Sequence, residues 1–179
     1  MDIKAVVKPA LVLFIISAAA AALLGYISEI TAGPIALQEQ RTRNEAMQAV
    51  MPSATAFEEL TNAPMSGTIS AVYISDNGGF VVLTNPSGFS GAVSTMTGLD
   101  ENGVITGLRV TGHSETPGLG AKATDPDFYE QFTGLSGSVA VTKDGGEIIA
   151  ITSSTITSRA VANGANEALE WFAANGGAY

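Results

Sequence analysis

The feature that most constrains this chain is an uncharged stretch near its N-terminus. Residues 10–28 read ALVLFIISAAAAALLGYIS and contain no Asp, Glu, Lys or Arg. In a helix rising about 1.5 Å per residue this stretch is roughly 28 Å long, close to the thickness of the hydrocarbon core of a bilayer. It is therefore expected to form a transmembrane helix rather than part of a globular core.

Basic residues around this stretch predict its orientation. Lys4 and Lys8 precede it, whereas the nearest basic residues after it are Arg41 and Arg43. By the positive-inside rule the N-terminus lies in the cytoplasm and the rest of the chain on the extracytoplasmic side of a cell (inner) membrane, with a single pass. The competing interpretation is a cleaved signal peptide with a cleavage site at residues 18–20 (AAA). That triplet lies inside the apolar run, and the run is longer than in a usual signal peptide, which favours a retained anchor.

The remaining residues predict a spacer followed by one domain. Residues 35–50 have the apolar spacing of an amphipathic helix, and Pro34 fits its first turn. We therefore predict an anchor with a cytoplasmic N-terminus over 1–33, a spacer helix and linker over 34–62, and a single domain over 63–179.

Short alternating segments separated by turn sequences dominate that domain. The predicted strands are 67–75, 80–84, 92–99, 104–111, 139–142 and 147–151, of which the last two form a hairpin. Helical patterns occupy 125–132 and 158–174. This mixture predicts an α+β fold with a mostly antiparallel sheet and flanking helices.

Composition excludes several classes of function. The chain has no cysteine and one histidine, so disulfides, thiolate metal sites, iron–sulfur clusters and histidine-rich metal sites are not expected. Redox chemistry here would require an organic cofactor. A net charge of −9 makes nucleic acid an unfavourable partner, because its phosphates would be repelled.

Three polar segments that join regular elements are candidate ligand sites. They are residues 85–91 (NPSGFSG), 112–123 (GHSETPGLGAKA) and 151–161 (ITSSTITSRAV). The glycines of the first two allow close approach of the backbone to a ligand, although the second segment is also consistent with a well-ordered long turn. The third places an excess of hydroxyls where a strand ends and a helix begins. One or two would serve as helix caps, whereas a helix N-terminus with several hydroxyls also suits a phosphate.

These segments, in this order, resemble the FMN-binding domain family. Residues 152–161 are similar to its flavinylation motif, residues 113–122 (HSETPGLGAK) to its ETPGLG loop, and residues 88–91 (GFSG) to its GYGG segment. The domain occurs in the G subunit of the Rnf complex and in the C subunit of the sodium-pumping NADH:quinone oxidoreductase. The short chain and the ITSRAV helix start are more similar to the former. The alternatives are a C-type subunit, a membrane-anchored assembly or binding module without flavin, and a free-standing flavoprotein of the same fold that reduces a small acceptor alone.

The resemblance implies that FMN is bound covalently, by a phosphoester to Thr155, and that a flavin transferase makes this bond from FAD. It implies an electron-transfer subunit of a membrane complex that couples ferredoxin:NAD⁺ electron transfer to ion movement. Implied partners are the other membrane subunits, including a second flavin-bearing one, together with membrane lipid. No catalytic acid or base and no metal is expected, and the subunit alone is not expected to be active.

The residue chemistry and the resemblance together give thirteen candidate cofactor-binding residues. They are Ser153, Ser154, Thr155, Thr157 and Ser158 at the hydroxyl-rich junction, Glu115, Thr116, Gly118, Leu119, Gly120 and Lys122 in the long loop, and Gly88 and Phe89 in the first loop.

The sequence departs from the family pattern in two places. Where the family has Gly-Ala before the modified threonine, this chain has Ser153-Ser154, and the acidic residue usual a few positions upstream is replaced at Ile148-Ile149. Both departures bear on recognition by the transferase.

Overall fold

A computed structural model describes residues 3–179; residues 1 and 2 of the predicted cytoplasmic N-terminus lie outside this range. The chain divides into two units, one ending at Arg43 and the other comprising Asn44–Tyr179. The first helix, α1, spans Ile3–Val50 and therefore contributes its last residues to the second unit.

Among the described residues one helix is long and apolar enough, by length and composition, to cross a membrane. It covers Pro9–Val50, and its most apolar window has a mean hydropathy of 2.4 with no part of it buried. Large apolar side chains on it are exposed, including those of Leu13, Phe14 and Leu24.

The structure differs from the prediction of a separate spacer helix that begins after Pro34. Helix α1 continues through Pro34 without a break. A proline inside a helix removes one hydrogen bond, but the residues that follow it, IALQEQ, are mostly good helix formers. The predicted anchor and spacer are thus parts of one helix.

The second unit is built around a five-stranded antiparallel sheet in the order β1-β2-β3-β4-β5, which confirms the predicted fold class. The strands are β1 (Phe57–Glu59), β2 (Ile69–Ser75), β3 (Phe80–Thr84), β4 (Ser94–Leu99) and β5 (Ile105–Gly112). Each strand pairs with the next one in the chain, so short turns are sufficient to connect β2 to β3 and β4 to β5.

Two helices and several 3₁₀ turns complete the unit. Helix α2 spans Pro126–Tyr129 and continues as a 3₁₀ turn over Glu130–Phe132, as the helical pattern at 125–132 predicted. Helix α3 spans Thr155–Asn175, so it begins three residues before the predicted start. Further 3₁₀ turns occupy Gly120–Thr124, Thr142–Asp144 and Gly176–Ala178.

Both faces of the sheet are covered, which explains why its strands are apolar on both sides. Val82 belongs to the cluster that contains Leu169 and Trp171 of α3. Its neighbour Val81 belongs to a second cluster with Val50, at the end of α1. Because successive strand residues point to opposite faces, α3 covers one face and the end of α1 covers the other.

The end of α1 packs directly on strand glycines. A Cβ on Gly98 would lie 2.5 Å from the Val50 carbonyl oxygen, and one on Gly107 would lie 2.9 Å from it. That oxygen accepts a 2.6 Å hydrogen bond from Thr106 Oγ1. Residues 44–62, predicted as spacer and linker, belong to the same structural unit as the sheet, and strand β1 within them was not predicted.

The predicted hairpin over 139–142 and 147–151 is wrong. The two segments share one isolated parallel bridge, Val141 to Ile148. Side chains from elsewhere form hydrogen bonds with backbone groups of both segments. Asn166 bonds the N–H and the carbonyl of Val139, and the Gln131 side chain accepts a 2.8 Å hydrogen bond from the Ile149 N–H. A hairpin partner would compete for these same groups.

Candidate functional site

The three segments singled out in the sequence converge on one pocket of about 360 Å³. The first loop contributes one residue, the long loop four and the hydroxyl-rich junction before and at the start of α3 five. The lining residues are Phe89, Glu115, Thr116, Leu119, Gly120, Ser153, Ser154, Thr155, Ile156 and Thr157.

Glu115 holds the three segments together. Its Oε1 accepts hydrogen bonds from the N–H groups of Phe89 (2.8 Å) and Ser90 (3.1 Å). Its Oε2 accepts one of 2.9 Å from Thr157 Oγ1. The side chain is only 6% exposed, so these bonds satisfy a carboxylate that is largely removed from water.

Two predicted site glycines make room for this carboxylate. A Cβ on Gly120 would lie 2.5 Å from Glu115 Oε2 and 2.8 Å from Thr157 Oγ1. A Cβ on Gly88 would collide with Glu115 Oε1. Gly88 is not among the residues that line the pocket, but it allows the first loop to approach Glu115 closely.

Thr155 is the first residue of α3, and its half-buried side chain borders the pocket. Ser154 occupies the N-cap position, and among the described residues its side chain forms no capping hydrogen bond. The first N–H groups of a helix have no partner within that helix. The start of α3 therefore combines such N–H groups with the hydroxyls of Thr155 and Ser154.

Backbone strain lies immediately before this helix. Ser153 has φ 62°, the only positive φ at a non-glycine residue in the range that the structure describes. This left-handed conformation suits glycine, which is the residue that the family motif has at this position. The departure noted in the sequence therefore places a serine in a backbone conformation that favours glycine.

Apolar side chains form the outer part of the pocket. Phe89 is 71% exposed, and Leu119 and Ile156 are also exposed. Exposed large apolar side chains grouped around a concave pocket are typical of a surface that a ligand covers. Ile156 lies within the motif segment 152–161 but was not among the predicted cofactor-binding residues.

Lys143 was also missed. Its Nζ donates a 3.0 Å hydrogen bond to Thr155 Oγ1. In the sequence this lysine belongs to a Lys-Asp-Gly-Gly turn, and only its turn chemistry was considered. Its distance of twelve residues from Thr155 gives no local signal of the contact.

The same turn carries an ion pair with α3. Arg159 donates two hydrogen bonds of 2.6 Å, from Nε and Nη2, to the Asp144 carboxylate. These bonds hold the pKa of Asp144 below its ordinary value, and the Asp144 carboxylate raises the pKa of Arg159. Both side chains are exposed to solvent, so the pair contributes modestly to stability.

The remaining predicted site residues lie around the pocket without lining it. Ser158 is fully buried and accepts a hydrogen bond from the Ile151 N–H, so it fixes the junction from beneath. Gly118 has φ 77° and shapes the turn of the long loop. Lys122 lines a neighbouring pocket with Asp125 and Gln131 instead.

Part of the chain matches a known domain family. Residues 88–170, which include the pocket-lining residues, match the FMN-binding domain family. Among solved structures, the C subunit of the Na⁺-translocating NADH-quinone reductase of Parabacteroides distasonis is similar with a TM-score of 0.49. It is 25% identical over 57% of this chain and 60% of that chain.

Similarity over the full length then shows the family. The chain is 40% identical over 193 residues to the G subunit of the Na⁺-translocating ferredoxin:NAD⁺ oxidoreductase complex of Acetobacterium woodii, covering 95% of this chain and 93% of that one. It is 34% identical over 186 residues to the G subunit of the ion-translocating oxidoreductase complex of Methanosarcina acetivorans, covering 98% and 99%. The chain belongs to the family of G subunits of ion-translocating oxidoreductase complexes, which confirms the resemblance seen in the sequence.

Proposed function

We propose that this protein is an electron-transfer subunit of a membrane-bound, ion-translocating ferredoxin:NAD⁺ oxidoreductase complex, with FMN attached through its phosphate to Thr155. The observation that carries the proposal is the position of Thr155. Its hydroxyl borders the pocket at the first residue of α3, next to helix N–H groups that favour phosphate.

The residues present fit the cofactor. A flavin nucleotide has an anionic phosphate, a polar ribityl chain and a large, mostly apolar ring system. The start of α3 supplies hydroxyl and N–H donors for the phosphate. The exposed apolar side chains of Phe89, Leu119 and Ile156 suit the ring system. Thr116, on the long loop between them, offers a hydroxyl for the polar chain.

When bound, the flavin supplies the redox chemistry. The protein binds and orients it. Glu115 fixes the two loops relative to α3, and the apolar side chains limit the access of water. The absence of cysteine from the sequence is consistent with a purely organic redox centre.

Attachment requires a donor and an enzyme. In the proposed step Thr155 Oγ1 forms a bond to the flavin-side phosphorus of FAD, the phosphoanhydride bond breaks, AMP leaves and the hydroxyl proton is released. A flavin transferase that uses FAD catalyses the step. No oxidant or reductant is consumed.

We also propose that α1 anchors the protein in the membrane by a single pass, in contact with lipid, with the N-terminus in the cytoplasm. The apolar helix and the relation to components of ion-translocating complexes support membrane association. The basic residues Lys4 and Lys8 ahead of the apolar stretch support the orientation. The proposed partners are the other membrane subunits of the complex, including a second flavin-bearing one.

The test is the intact mass of the full chain isolated from its native host. We expect the mass of the chain plus one FMN less one water, and loss of this increment in Thr155→Ala. Thr61→Ala removes an exposed hydroxyl outside the motif and the pocket and should leave the increment unchanged. Native protein without added mass would contradict covalent attachment and favour an assembly module. An increment that persists in Thr155→Ala would exclude Thr155 as the attachment site.

A further inference from the structure

The contact between Lys143 and Thr155 has no explanation in folding alone. Lys143 is exposed, yet its ammonium group donates a 3.0 Å hydrogen bond to the very hydroxyl at which attachment is proposed. A lysine on a solvent-exposed turn gains little from a neutral hydroxyl that water could replace. The same ammonium group gains much more from an anionic phosphate on that oxygen.

The turn that carries Lys143 is held rigidly. Its backbone is closed by hydrogen bonds from the Asp144 N–H to the Val141 carbonyl (2.8 Å) and from the Gly146 N–H to the same oxygen (3.1 Å). Gly145 adopts φ 87°, and Gly146 packs so closely on Ala140 that a Cβ there would collide with its carbonyl. The lysine therefore projects from a fixed backbone.

The ion pair between Asp144 and Arg159 ties this turn to α3. Asp144 follows Lys143 directly, and Arg159 lies one helical turn after Thr155. The pair thereby fixes the turn relative to the attachment hydroxyl. It also engages the guanidinium of Arg159, whose charge is then largely compensated by the carboxylate.

Charge balance explains why a cation is needed here. The chain has a net charge of −9, and the pocket itself contains the buried Glu115 carboxylate. An incoming anion is repelled by both. The ammonium group of Lys143 is the positive charge that the described residues bring into contact with Thr155.

We propose that Lys143 binds the phosphate of the flavin nucleotide, both during its transfer to Thr155 and in the finished phosphoester. The inference rests on the proposed function. As Thr155 Oγ1 bonds to the phosphorus and AMP leaves, the hydrogen bond of Lys143 passes to the phosphate oxygens. The lysine neither gains nor loses a proton, and the hydroxyl proton leaves with the transferase or solvent.

The experiment is a time course of covalent loading, read by intact mass, with the full chain in detergent, FAD, and the flavin transferase of the native host. Lys143→Met removes the charge and should slow loading about tenfold to a hundredfold, the effect expected of one charged hydrogen bond. Lys143→Arg keeps the charge and should load within about threefold of the wild type. Arg41→Met removes one exposed positive charge from α1 and should load at the wild-type rate.

The outcomes separate the two proposals. Loading of Lys143→Met at the wild-type rate, or of Lys143→Arg as slowly as Lys143→Met, would overturn the role of Lys143 while leaving attachment at Thr155 intact. Loss of loading in Lys143→Met together with early unfolding, followed by the emission of Trp171, would also overturn it, because the lysine would then be structural. A wild-type chain that gains no mass would overturn both.

Discussion

Thr157 Oγ1 donates a 2.9 Å hydrogen bond to Glu115 Oε2, and so joins the first turn of α3 to a loop 42 residues earlier in the chain. The other oxygen of the same carboxylate accepts from two backbone N–H groups of the first loop. The Glu115 side chain therefore holds the first loop, the long loop and the start of α3 in contact around the pocket. Both the stability of the domain and the shape of the site depend on it.

Replacement of Glu115 by alanine should lower the free energy of unfolding by about 2 kcal/mol, because two N–H groups and one hydroxyl lose their partner. Covalent flavin loading should fall as well, since the loops are no longer held against α3. Urea unfolding of the full chain in detergent, made without flavin and followed by Trp171 emission, measures the first effect. Glu147→Ala removes an exposed carboxylate and serves as the control. Equal stability of the two variants would contradict the role given to Glu115.

Replacement of Gly120 by alanine should disturb the same contact from the other side. The added methyl group would lie 2.5 Å from Glu115 Oε2, and overpacking of this kind costs about 1–3 kcal/mol. Gly177→Ala is the matched control, because a Cβ there has no neighbour within 4 Å. We expect Gly120→Ala to unfold at lower urea concentration and load flavin slowly, and Gly177→Ala to behave as wild type. Normal loading of Gly120→Ala would show that the contact is not needed for the site.

Replacement of Ser153 by glycine should relieve strain. Ser153 has φ 62°, and glycine adopts this conformation without the steric cost, so the free energy of unfolding should rise by about 0.5–1 kcal/mol. Ser136→Gly, at a loop position without a positive φ, should bring no such gain. Stability measured as above checks the difference. If both variants are equally destabilised, the greater freedom of the unfolded glycine chain outweighs the strain at residue 153.

Asp144 makes part of the stability depend on pH. Its pKa is lowered in the folded protein, chiefly by the hydrogen bonds from Arg159, so the ion pair stabilises the fold above the ordinary carboxyl pKa. This contribution is lost as pH falls through the lowered pKa. The difference in free energy of unfolding between wild type and Asp144→Asn should thus be largest at neutral pH and decrease below about pH 4.

Salt provides the control for that comparison. Both side chains of the pair are exposed, so about 1 M NaCl at neutral pH should reduce the same difference. A difference that is unchanged by both pH and salt would show that asparagine acts through the geometry of the turn instead of through charge.

The fold was predictable where the local pattern and the tertiary structure agree. The segment 80–84 became β3 with the predicted bounds, since turn sequences flank a short apolar run. Strand β1 could not be predicted in this way: its sequence, FEE, has two charged residues, and only its pairing with β2 makes it a strand. The false hairpin had strand-like residues, but the distant side chains of Asn166 and Gln131 bond its backbone.

The candidate site shows the same division. Hydroxyl and glycine content was enough to single out the three segments that now line one pocket. The roles of their residues in binding flavin remain predictions. Neither the hydrogen bond between Glu115 and Thr157 nor the contact of Lys143 with Thr155 could be predicted. Each joins residues from elements whose relative placement depends on the whole sheet.

Helix α3 also sets a distance. Thr155 begins it, and Trp171, the single tryptophan, lies near its end and makes an edge-to-face contact with Phe80 in the core. At about 1.5 Å per residue the two are about 24 Å apart along the helix axis. An excited indole transfers energy to a flavin over separations of this order. The helix thus fixes the distance between donor and acceptor. A flavin on Thr155 should quench the fluorescence of Trp171 in a folded chain, and the extent of quenching reports the fraction of the protein that carries its cofactor.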